Sequence, residues 1–105
     1  MDVAFRIRAL RIALGMSQAD LAHRVGVSPN VPGLWERGVQ RPGYDALVVL
    51  PDVLGTSGDY LLCRTDDPRP VGDGPAVSLE ALAAAYLQLA GEAAAGTVLD
   101  GASPP

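Results

Sequence analysis

The chain has 105 residues, a formal net charge of −4, 49% hydrophobic residues and only 5% aromatics. That length suits one globular unit with an appendage rather than two domains, and an interior of Ala, Leu and Val with a single Phe5 and a single Trp35 predicts a small all-α fold and speaks against β architecture. The acidic balance excludes binding to nucleic acid by bulk positive charge, and the lone Cys63 excludes an internal disulfide.

The first eight residues alternate charged and apolar types, unlike the basic-then-apolar order of a signal peptide. A first helix is predicted over residues 3–14, with Ile7, Leu10 and Leu14 at helical spacing, Phe5 beside them and the arginines opposite. Gly15 supplies a C-terminal stop. Ser17, with Asp20 three residues on, caps a second helix whose buried stripe is Leu21, Ala22 and Val25 and which ends at Gly26. His23 falls on its outer face, where a solvated side chain is expected.

Ser28 reads as the next N-cap, with Pro29 at the first helical position. On that register Pro32 stands in the fourth helical position, where an interior proline costs about 3 kcal/mol and Gly33 adds about 1. A late start near Gly33 or a distorted first turn is therefore expected, with Trp35 as anchor and Gly38 as end. A fourth helix follows the turn at 41–43, running from Tyr44 to Leu54 with a kink or early stop at Pro51. Ser57 caps a last short helix from Gly58 to Cys63, in which Tyr60, Leu61 and Leu62 close the core and Cys63 is a small buried hydrophobe.

Residues 65–78 hold three prolines and two glycines and read as a flexible linker with nothing to bury. Beyond it Ser78 caps a helix over 79–95, with Leu79, Leu82, Tyr86, Leu89 and Ala93 recurring at gaps of three and four. Such a seam is too apolar to lie free in water. It serves self-association or a partner, or folds back on the head. Residues 96–105 are expected to be disordered. The longest nearly uncharged run, Ala81 to Gly91, falls short of the roughly 20 residues of a membrane span, so no membrane association is expected. Charge divides at the same boundary: residues 1–64 carry seven arginines against six acids and residues 65–105 one against six, joining a head at +1 to a tail at −5.

The ordered set of Arg8 to Ala22 (Arg-Ala-Leu-Arg-Ile-Ala-Leu-Gly-Met-Ser-Gln-Ala-Asp-Leu-Ala), Gly26-Val27-Ser28, Trp35-Glu36-Arg37-Gly38, Arg41-Pro42, Leu54-Gly55 and Asp59-Tyr60-Leu61-Leu62 resembles the XRE-type helix-turn-helix family, the lambda-repressor-like domain of phage and bacterial regulators. The resemblance implies a five-helix head over 1–64 that binds double-stranded DNA as a homodimer, in the cytoplasm and on the nucleoid. It also implies an ion pair between Arg11 and Glu36 tying the first helix to the third.

Physically, Gln18 stands at the N-terminus of the second helix, where free N–H groups attract a phosphate, and Arg37 and Arg41 suit phosphate clamping or a solvated turn. The family's reading positions fall on Pro29, Asn30, Gly33 and Leu34, and a usually aliphatic core position falls on Pro32. Asn30 can pair with adenine and Leu34 can touch a thymine methyl. The expected DNA-facing set is Gln18, Ser28, Asn30, Gly33, Leu34, Arg37 and Arg41, with weak base specificity. A protein-interaction module of antitoxin or adaptor type, which keeps the fold without base readout, is the alternative function. The sequence offers no catalytic triad, paired carboxylates or phosphate loop. An enzyme, a cofactor and a metal site are not expected.

Overall fold

The computed structural model describes residues 2–72 and 74–102, with side chains up to residue 92. Six helices follow in order: α1 (Val3–Ala13), α2 (Gln18–Val25), α3 (Val31–Glu36), α4 (Tyr44–Val53), α5 (Gly58–Leu61) and α6 (Leu79–Ala102). Among the described residues there is no strand. The caps explain the starts. The Asp2 carboxylate accepts from Phe5 N at 2.9 Å, and Ser17 and Asp20 form a reciprocal box, each side chain accepting from the other's backbone N–H at 3.0 Å. The Ser17 backbone N–H, and after it the Ser17 hydroxyl, hold the Asp20 carboxyl below its ordinary pKa.

Between α2 and α3 the chain reverses on Gly26, whose φ of 88° lies in the left-handed region that glycine enters without strain. The next residues resolve the proline problem differently from the sequence reading. Ser28 to Asn30 form a turn closed by Val31 N donating to Ser28 O at 3.0 Å, and Asn30, not Ser28, occupies the N-cap position. Pro32 then falls in the first turn, where its missing N–H would have had no intrahelical acceptor. It is also fully buried, filling the core position with a ring instead of an aliphatic chain.

Pro51 does not stop α4, which continues to Val53. It stands so near the end that a single backbone bond is lost. Helix α5 is shorter than expected, ending at Leu61, and corrects the reading of two residues. Leu62 is 47% exposed rather than core, and Cys63 is an exposed free thiol rather than a buried hydrophobe. The cause is a Schellman closure: Cys63 N donates to Tyr60 O and Arg64 N to Asp59 O, at 3.0 and 2.8 Å. This places Cys63 at φ 64°, in the position glycine takes after α1, α3 and α4.

Ile7, Leu10, Leu21, Leu50, Leu54 and Leu61 are the fully buried aliphatic centre, with Trp35 beside them. Arg6 joins them, contrary to the expectation that the arginines of α1 face outward. It is 5% exposed, donating from Nη1 to Tyr60 O and Thr65 O at 2.6 and 2.7 Å and from Nη2 to the Asp66 carboxylate at 3.0 Å. Its guanidinium lies 4.0 Å from the Tyr60 ring centroid.

Segment 65–78 does have something to bury. Val77 is 3% exposed, its N–H donates to Gly55 O at 2.8 Å, and the Thr56 hydroxyl donates to Pro68 O at 2.6 Å. From there α6 lies along α1, with Leu79 and Leu82 beside Arg6 and Tyr60 and Leu89 and Glu92 beside Asp2, Phe5 and Arg8. Leu82, Ala85 and Leu89 are buried on the head, Tyr86 meets Phe5 edge-on at 5.3 Å and the Tyr60 hydroxyl through its own, and Arg8 pairs with Glu92 at 3.0 Å. The seam expected to serve self-association or a partner is thus occupied by its own head. Leu79 is 54% exposed. The helix runs to Ala102, beyond the 95 expected; the rest of the expected tail, 103–105, lies outside the described residues. No helix among the described residues is long and apolar enough to cross a membrane.

Candidate nucleic-acid interface

Helix α3 is two-faced. Pro32 and Trp35 point into the core, so the opposite stripe consists of Asn30, Gly33, Leu34 and Arg37, three and four residues apart. Asn30 and Arg37 are exposed and Leu34 is half-buried. Asn30 makes no side-chain cap bond, leaving its amide uncommitted.

The helix is locked to its neighbours at its C-terminal end. Arg11 embraces Glu36 with two bonds, Nε to Oε2 at 2.7 Å and Nη2 to Oε1 at 3.0 Å, while its Nη1 donates to Met16 O at 2.9 Å. With side-chain exposures of 14% and 3% this pair is largely screened from water, and its bidentate geometry fixes orientation more than it adds stability. The Gln18 amide extends the network, Nε2 donating to Glu36 Oε1 at 3.3 Å. One carboxylate therefore joins α1, α2 and α3.

The expected interface residues do not form one patch. Gln18 and Arg37 converge on Gly33: a β-carbon there would stand 3.2 Å from Gln18 Oε1 and 3.3 Å from Arg37 Nη1. Gly33 is accordingly buried beneath these two side chains. Ser28 is exposed and lines a second groove with Gln40 and Tyr44. Arg41 is exposed beyond α3, on a groove shared with Gln40 and Trp35.

Gln40 and Tyr44 were absent from the sequence-based set. Tyr44 is 81% exposed at the first position of α4, and the turn at 41–43 that starts α4 beside Ser28 is the signal that could have found both. His23 is exposed on α2, and no cluster of three or more His, Cys, Asp or Glu side chains that could hold a metal occurs among the described residues.

Charge follows the same geography. Arg6, Arg8, Arg11, Arg64 and Arg69 each have an acid partner. Among the described residues Arg24, Arg37 and Arg41 have none. The unmatched cations are thus on or next to α2 and α3.

A turn on Gly26, a second helix with its inner face buried, and a family profile for helix-turn-helix that matches residues 7–61 agree with one another. The chain belongs to the XRE-type helix-turn-helix family. This helix-turn-helix chain is 37% identical over 65 residues, 62% of its length, to the uncharacterized HTH-type transcriptional regulator YobD of Bacillus subtilis (strain 168), and it spans 58% of that relative's length. Among solved structures it is similar to the P22 c2 repressor protein in complex with synthetic operator 9T in the presence of Tl+, with a TM-score of 0.57 and 40% identity over 59% of this chain and 94% of that one. The head of the helix-turn-helix chain is therefore lambda-repressor-like, with α6 added after it.

Proposed function

We propose that the chain is a transcriptional regulator that binds double-stranded DNA by laying α2 and α3 against the duplex. The single observation that carries this reading is the uncommitted edge of the helix-turn-helix. In a chain of net charge −4, the arginines without an acid partner among the described residues include Arg37 and Arg41, just after α3, while Arg24 lies on α2 in a separate groove with Asp52. The likeness to a repressor in complex with an operator supports DNA as the partner. In this reading the N-terminal N–H groups of α2 and Arg41 hold phosphates, and Ser28 adds a hydroxyl contact. Asn30 pairs with an adenine and Leu34 packs on a thymine methyl. The role is one of binding, not of catalysis.

So few base-facing groups per copy call for two copies on a two-fold site, which doubles every contact. That pairing belongs to the head, because Leu82 and Leu89 of α6 are buried on α1. The test is affinity for duplex DNA against salt concentration, with stoichiometry measured on the same samples. Binding whose logarithm falls linearly with the logarithm of salt, at two copies per site, is expected; no retention of any duplex at low salt would sink the reading.

A further inference from the structure

Gly33 lies in the middle of the outward stripe of α3 and is nevertheless buried. Two side chains close over it from opposite sides. Arg37 is one helical turn on, and helical side chains lean toward the N-terminus, so its guanidinium covers the turn at residue 33. Gln18 reaches across from the first position of α2. Both terminal atoms lie within 3.3 Å of where a β-carbon would stand, Gln18 Oε1 at 3.2 Å and Arg37 Nη1 at 3.3 Å. A side chain at residue 33 would push them apart.

The chemistry presented over this notch is fixed by the network behind it. Gln18 Nε2 donates to Glu36 Oε1 at 3.3 Å, and Glu36 is itself held by two bonds from Arg11. Its amide nitrogen is therefore turned inward, leaving the carbonyl oxygen as the atom offered outward. Glu36 accepts its bonds from Arg11 and Gln18 and none from Arg37, which keeps its donors although it is the next residue along. The notch thus sets an acceptor beside a fork of donors.

We propose that Gln18 and Arg37, meeting over Gly33, form a composite reader for a G·C base pair in the major groove, a role that rests on the DNA-binding reading above. Guanine offers two acceptors there, O6 and N7, which match the guanidinium fork, and its cytosine offers the N4 amino donor, which matches Gln18 Oε1. An A·T pair sets an amino donor beside N7 on the adenine, which the guanidinium cannot accept from. Asn30, one turn earlier on the same stripe, stays available for a neighbouring base. The recognition helix reads with its ends and with a residue of α2, and Gly33 contributes space.

The test is selection of the full chain on duplexes randomised over about two helical turns, with bound sequences recovered from wild type, Arg37→Lys, Arg37→Ala, Gln18→Ala and Gly33→Ala. Wild type should prefer G·C over A·T at one position per half-site by about tenfold or more. Arg37→Lys keeps the charge and loses the planar fork, so it should weaken that preference while leaving affinity for a random duplex little changed, whereas Arg37→Ala should abolish it. Gln18→Ala and Gly33→Ala should each weaken the preference at that position alone, with thermal unfolding confirming that every variant is folded. An unaltered G·C preference in Arg37→Ala overturns the proposal. So does a loss in Arg37→Ala that is equal on all sequences and lowers the salt slope by about one, which marks a phosphate contact. If wild type binds no duplex at low salt, the DNA-binding reading itself has failed; binding without a G·C preference overturns the composite reader only.

Discussion

The two sides of the head treat their polar groups in opposite ways. Where α1 meets α5, segment 65–78 and α6, the charged groups are tied down: Arg6 is bound to two carbonyls and Asp66, though its buried Nε has no partner among the described residues, Arg8 is bound to Glu92, and Val77 to Gly55. Along α2 and α3 the buried ties stop at Glu36, and Asn30 and Arg37 are left without a partner among the described residues. A chain with more acids than bases makes its cationic edge by matching arginines elsewhere and leaving these unmatched.

Substitutions on the closed side should therefore read out in stability and those on the open side in DNA binding. The largest effect is expected from Leu82→Ala, which empties a site 4% exposed between α6 and the head. A loss of about 2–4 kcal/mol is expected by urea unfolding; a loss within 0.5 would mean that α6 adds nothing to the head. Arg6→Met should cost somewhat less, about 1–3 kcal/mol, because it takes the side-chain donor from the Tyr60 and Thr65 carbonyls, of which Tyr60 keeps its bond from Cys63 N.

Alkaline pH probes the same side. Burial pushes the Tyr86 phenol above its usual 10.0, with Arg6 pulling weakly the other way. A folded-state pKa above the unfolded one stabilises the fold fully below pH 10.0 and loses that contribution as pH rises through the folded value. The urea midpoint of wild type should fall more above that pH than that of Tyr86→Phe; equal falls would detach the phenol from the docking of α6.

On the open side the stability effects shrink. Gly33→Ala gains helix propensity but must push aside Gln18, which is tied to Glu36, so the two offset and calorimetry should show a change within about 0.5 kcal/mol. Arg41→Ala should leave stability within about 0.5 kcal/mol while reducing the salt slope of DNA binding by about one. A destabilised Arg41→Ala with an unchanged slope would erase the contrast between the two sides.

What could be read in the sequence was whatever neighbours decide. Ser17 with Asp20, the turn on Gly26 and the anchor Trp35 are local signals, and together they mark the all-helical head. The resemblance points to Arg11 and Glu36, which the structure brings together. Arg6 was illegible because its acceptors lie 54 and 59 residues away, and no periodicity marks a helix-face arginine as buried. Helical spacing of Leu82, Tyr86 and Leu89 announces a covered face without saying what covers it. Pro32 was misplaced for a smaller reason: capping preference favoured Ser28, whereas the chain spends Ser28 to Asn30 on a turn. In the candidate interface, residue types were visible, but the meeting of Gln18 with Arg37 over Gly33 depends on how α2 crosses α3.

Gly55 meets two unrelated demands at once. It turns the chain out of α4 at φ 63°, and a β-carbon there would stand 2.8 Å from Val77 N, at the spot where the segment before α6 is fastened. Any other residue must both strain the turn and unfasten that segment, so the two losses arrive together and cannot be selected apart. Position 55 should be among the least replaceable in the chain while touching no ligand. A reader ranking positions by intolerance to change would place it beside the residues proposed to face DNA, and only geometry tells the two kinds of constraint apart.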